Sequence, residues 1–87
     1  MNPYTNTQVT DKYIIREFNE NIDPIELKWH RDLEDRTVTV LEGNGWYFQR
    51  DNELPVELKE GVHIFIPKLE WHRVIKGTTP LKIKIEE

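Results

Sequence analysis

Three side chains in this sequence have the types and the spacing to do chemistry together: His30 and Asp32, one residue apart, and His72 far downstream. Side chains alternate between the faces of a strand, so His30 and Asp32 would share one side of it. Two imidazoles and a carboxylate have the composition of the triad that holds iron in non-haem oxygenases. Ligands gathered on one face leave the opposite coordination positions open to substrate and oxygen. If His30 points inward, so do Glu26, Lys28 and Asp32, a run too polar for a dry core and suited to a wet pocket. Ile25, Leu27 and Trp29 would then face outward and need cover from a partner subunit or the N-terminal arm. The structural reading inverts this, with those three residues in the core and His30 at the surface.

Short strands must position these groups. Residues 13–18 (YIIREF) are β-branched and aromatic and read as a strand. Residues 25–30 alternate, residues 37–41 form a strand, and Gly43-Asn44-Gly45 supplies the positive-φ residues of a tight hairpin. Residues 46–49 return from it, a short segment follows at 56–58, and a dense apolar run at 62–66 ends on Pro67. Residues 71–75 and 81–85 are the last strands; Leu81, Ile83 and Ile85 alternate with Lys82, Lys84 and Glu86 in a half-buried pattern. Apolar residues nowhere recur at helical spacing over more than a turn or two. An all-β sandwich or barrel is the expected architecture.

The chain has 87 residues, enough for one domain with one modest core. Residues 1–11 read as a flexible arm or short edge strand, and residues 12–87 as the domain. The absence of cysteine removes both disulfides and thiolate metal sites. A homodimer is therefore expected as the remaining source of buried area. The net charge of −4 is scattered, which argues against nucleic acid as a partner. No apolar run reaches the length of a membrane span, and the N-terminus lacks the pattern of a signal peptide. A soluble, cytoplasmic protein is the default expectation. No serine or cysteine nucleophile sits beside a base, and no glycine loop could cradle a phosphate. Hydrolase and nucleotide-kinase readings have nothing to rest on.

Two stretches, residues 28–45 and 61–76, are similar to the paired motifs of the cupin superfamily. In the first, His30 matches the leading histidine and Gly43 the closing glycine; Asp32 stands at the second histidine, Arg36 at the glutamate and Pro24 at the opening glycine. In the second, Gly61, Pro67 and His72 match at the family's intervals, with Leu69 at a glycine position and Lys76 at an asparagine. The resemblance covers residues 25–87. It implies a small cupin-type jelly-roll β-barrel, or double-stranded β-helix, of about eight short strands. It also implies a divalent transition metal (Fe, Mn, Ni or Zn) on His30, Asp32 and His72.

Under the motif alignment Arg36 points inward with Val38 and Val40. A guanidinium stays protonated, so it would repel a cation and pair with Asp32 instead. Its positive reading is a bidentate anchor for a carboxylate or phosphate. Tyr47 and Gln49 would border the pocket from the strand after the hairpin. Trp29, Trp46 and Trp71 could stack on a flat ligand, but core or dimer interface is the expectation for at least two. His63 reads as a hydrogen-bonded or interface residue, Arg73 as a surface one, and Asp32, Glu34 and Asp35 as a solvated turn without calcium-loop spacing.

The function expected first is a small-molecule-binding protein whose pocket is formed by His30, Asp32, Arg36 and His72 and prefers polar or anionic ligands. A metal-dependent enzyme of oxygenase or isomerase type, using His30, Asp32 and His72, is the second. A non-catalytic interaction module with a vestigial pocket is the third.

Overall fold

In a computed structural model that describes residues 4–24 and 27–87, the chain forms eight strands: β1 (Tyr4–Gln8), β2 (Tyr13–Phe18), β3 (Arg36–Glu42), β4 (Tyr47–Arg50), β5 (Val56–Glu57), β6 (His63–Ile66), β7 (His72–Ile75) and β8 (Leu81–Glu86). They make two antiparallel sheets, a five-stranded one in the order β1-β2-β8-β3-β6 and a three-stranded one in the order β5-β4-β7. The described residues contain no helix long and apolar enough to cross a membrane.

The alternation in β8 explains the large sheet. Ile85 lies between Ile14 of β2 and Val38 of β3, and Ile83 lies between Arg16 and Val40. Residues in one row share a face. Val38, Val40, Ile83 and Ile85 are buried there, while Lys82 and Lys84 turn outward. Burying each such side chain contributes about 1.5–3 kcal/mol relative to exposure. The opposite wall presents Trp46, Phe48 and Leu58, all buried.

Trp46 is fully enclosed, and its indole N–H donates to the Thr79 carbonyl at 2.6 Å. Gly77 packs against the Asn44 carbonyl and the Trp46 ring, leaving no space for a side chain. Within the hairpin, Gly45 alone has a positive φ, +75°. Gly43 was expected to share that role; it instead leaves room for Leu81.

Of the two readings of the N-terminal residues, arm or edge strand, residues 4–8 take the second, hydrogen-bonded to β2 along their length. One further expectation meets a different structure. The strand expected over residues 25–30 is absent from its described part, residues 27–30, where only His30 forms an isolated bridge; Ile25 and Glu26 lie outside the described residues. Trp46 takes the expected place in the core, while Trp29 and Trp71 stay 40% and 44% exposed under arginine side chains. The acidic turn is exposed at Glu34 and Asp35, as expected, with Asp35 also accepting the Lys68 backbone N–H at 2.8 Å.

Candidate metal centre

His72 opens β7, with its side chain buried against Phe48. Its Nδ1 lies 2.8 Å from the Glu70 carbonyl oxygen. A carbonyl only accepts, so Nδ1 carries the proton and Nε2 keeps its lone pair. That Nε2 is 3.3 Å from Asp32 Oδ2. His30 repeats the device: its Nδ1 lies 3.0 Å from the Lys28 carbonyl, and its Nε2 is 3.9 Å from Asp32 Oδ1. Burial is the main cause holding the His72 pKa below its ordinary value of 6.5, and His30 adds to it. The Glu70 carbonyl and the charges of Asp32 and Glu70 act in the opposite direction. His72 is thus neutral at pH 7.

Two lone-pair nitrogens and a carboxylate therefore converge, their ligand atoms within 4.8 Å of one another. Acceptors facing acceptors repel unless a cation lies between them. Bonds of about 2.1 Å to one ion put neighbouring ligand atoms about 3–3.5 Å apart. The His72–Asp32 spacing of 3.3 Å fits that range. His30, half-exposed and 3.9 Å from Asp32 Oδ1, lies beyond that range and must draw in to complete the set. The donor set suits a divalent transition metal.

The segment carrying His30 and Asp32 has no strand of its own, and β7 holds it. His30 N–H donates to the His72 carbonyl and His72 N–H to that of His30, both at 2.9 Å. On either side of this bridge an arginine covers a tryptophan: Arg73 lies 4.9 Å from the Trp29 ring and Arg31 5.2 Å from that of Trp71. The Asp32 carbonyl accepts from Leu69 N–H at 2.8 Å. Leu69 takes φ +66°, so the glycine position of the second motif keeps glycine-like backbone without the glycine.

Arg36 reaches Asp32 Oδ1 at 3.3 Å and Glu87 Oε1 at 3.5 Å. The pair foreseen as a rival to metal is thus formed, but on Oδ1, while Oδ2 faces His72. His30, Asp32, Arg36 and His72 all line one cavity of about 340 Å³ between the sheets.

No protein-family model matches the sequence, and no curated protein matches it. Solved structures do match. A chain from the crystal structures of the DMSP lyases RdDddP and RnDddQII superposes at TM-score 0.71, with 20% identity over 84% of this chain and 35% of its own. A cupin domain from Bordetella pertussis Tohama I gives 0.63, with 20% identity over 95% of this chain and 88% of its own. FeII HppE gives 0.62, with 22% identity over 86% of this chain and 41% of its own. The fold is that of the cupins. This chain spans only about a third of the first of those cupin-fold neighbours.

Within the cupin fold, four of the six residues singled out in the sequence meet at the cavity. Tyr47 and Gln49 do not line it. They flank Phe48 in β4, and alternation gives Phe48 the inward place. Gln49 instead accepts from Arg73 Nε at 2.9 Å and donates to the Glu53 carbonyl at 2.9 Å. Leu27 also departs from its expected outward position, packing on the core beside Lys28 because an irregular backbone need not alternate. Tyr4 and Arg16 line the cavity without having been foreseen. Arg16 was detectable: it shares its face with Ile14 and Phe18, and a charge on a buried strand face is a signal.

Proposed function

We propose that this cupin-fold chain is a metal-dependent protein acting on a small molecule in the barrel cavity, with His30, Asp32 and His72 as the ligands. The observation that carries the reading is the pair of histidines whose Nδ1 protons are committed to backbone carbonyls while both Nε2 atoms approach one carboxylate. Carbonyl partners of this kind fix the tautomer and ring orientation of metal-binding histidines. When bound, the metal would act as a Lewis acid with positions open to a small molecule. Arg36 holds the Asp32 carboxylate in place, and the apolar lining limits water. The iron of FeII HppE favours iron among Fe, Mn, Ni and Zn.

The test is elemental analysis of protein purified without chelator or affinity tag. Near-stoichiometric transition metal, lost in His72→Ala, is the expected result. Absence of metal, together with no measurable binding of added Fe(II), Mn(II), Ni(II), Zn(II) or Co(II), overturns it. The Asp32–Arg36 contact favours a second reading, a binding protein without turnover, in which Asp32 is an anchor for Arg36. Under that reading ligand binding proceeds equally well in the presence of a chelator.

A further inference from the structure

Arg16 is a cation of the cavity that the metal centre does not use. It stands in the row of Ile83 and Val40, on the inner face of the large sheet. Its Nε donates to Asn6 Oδ1 at 2.8 Å, and its guanidinium lies 3.7 Å from the Tyr4 ring centroid. Among the described residues no carboxylate forms an ion pair with it. Arg36, on the same lining, spends its two terminal nitrogens on Asp32 and Glu87, but its Nε is buried and has no hydrogen-bond partner. Buried donors without an acceptor are rare and costly.

The charges of the lining do not balance. Arg16, Lys28 and Arg36 face one lining carboxylate, Asp32, which the metal centre already engages, and Glu87, which pairs with Arg36, so one cation is left over. Adding a divalent cation widens the excess. The remaining walls are apolar, with Phe18, Leu58, Val74 and Ile83 among them. At about 340 Å³ the cavity falls at the small end of the range that takes organic ligands.

We infer that the cavity binds an amphiphilic organic anion, with a carboxylate head on the Arg16 guanidinium and the free Arg36 Nε and a short apolar body against Phe18, Leu58 and Ile83. The inference deepens the proposed function by naming the ligand class of the same pocket, and rests on that reading for the pocket itself. Fully hydrated inorganic anions would leave the apolar walls unused. A neutral alcohol offers a hydroxyl oxygen as acceptor but no negative charge to offset the guanidinium groups.

The experiment titrates acetate, butanoate, hexanoate, hexan-1-ol and inorganic phosphate into metal-free and Co(II)-loaded protein by calorimetry. Affinity is expected to rise about fourfold per methylene from butanoate to hexanoate. Hexanol and phosphate should bind more weakly than hexanoate. Arg16→Gln should weaken hexanoate about tenfold or more, with the Co(II) absorption spectrum unchanged and partial recovery in Arg16→Lys. Equal hexanoate affinity in folded Arg16→Gln, equal binding of hexanol, or tighter binding of phosphate would each overturn the inference. If Arg16→Gln does not fold, the chain-length and alcohol comparisons on the unaltered protein still decide it. Failure of Co(II) to bind removes the metal reading alone, because the metal-free titration tests the anion site separately.

Discussion

Asp32 divides its carboxylate between unlike neighbours, a charged guanidinium on Oδ1 and a neutral imidazole on Oδ2. Replacing it with Asn removes the negative ligand and turns one oxygen into a donor. We expect Asp32→Asn to weaken Co(II) binding by about 100-fold or more, read by the cobalt absorption bands. His72 sets the pH response of the metal-free protein. Its folded pKa lies below 6.5, its ordinary value. Above that value both folded and unfolded chains hold it neutral. As pH falls, the unfolded chain takes a proton that the folded chain refuses, and stability declines until the lower, folded pKa is passed. Urea titrations at about pH 7.5 and about pH 5.5 should show this decline, and His72→Gln should lose less over the same interval. The chemical types at this scale were readable in advance, since an HxD pair and a downstream histidine are visible in one dimension. The tautomers were not, because they depend on which carbonyls the folded backbone brings within reach.

Leu69 and the segment around His30 show what the elements must do to hold the site. A side chain in the left-handed region costs about 1–2 kcal/mol, and Leu69, 49% exposed, recovers little by packing. Glycine there would relieve that strain but gain freedom when unfolded, worth about 0.4–1 kcal/mol. Leu69→Gly should therefore stabilise the fold by roughly 0.5–1 kcal/mol, seen as a raised urea midpoint at unchanged slope. The arginine–tryptophan pairs beside the His30–His72 bridge are a separate support. Each such pair is worth about 0.5–1 kcal/mol at an exposed site. Trp71→Ala should loosen the His30 segment and weaken Co(II) binding several-fold, although residue 71 touches no ligand atom. Unchanged cobalt affinity would show that the backbone bridge suffices.

At the scale of the whole molecule, the proposed metal would join the segment bearing His30 and Asp32 to β7 of the small sheet. An ion bound to both would stabilise the folded chain by mass action. Zinc or cobalt at about 100 times its dissociation constant should add about 2.7 kcal/mol, and EDTA should reverse it. Differential scanning calorimetry with and without chelator reads this directly. A melting temperature indifferent to metal would count against a centre that links the two elements. The inner wall was most legible in β8, where Leu81, Ile83 and Ile85 alternate with Lys82, Lys84 and Glu86; in β6 Ile64, Phe65 and Ile66 form a continuous apolar run, and only the fold turns Phe65 outward.

The sequence by itself determined an all-β chain, the alternation of its last strand and the residue types that meet at the candidate site. Those properties follow from alternation, turn residues and side-chain chemistry, all of which act over a few neighbours. Tertiary structure alone decided that residues 27–35 lie across β7 as irregular chain, that Phe48 excludes Tyr47 and Gln49 from the cavity, and that Arg16 enters it. These outcomes depend on which strands become neighbours and how the sheets close over one another. Contacts between residues dozens of positions apart set that arrangement, and local periodicity does not encode them.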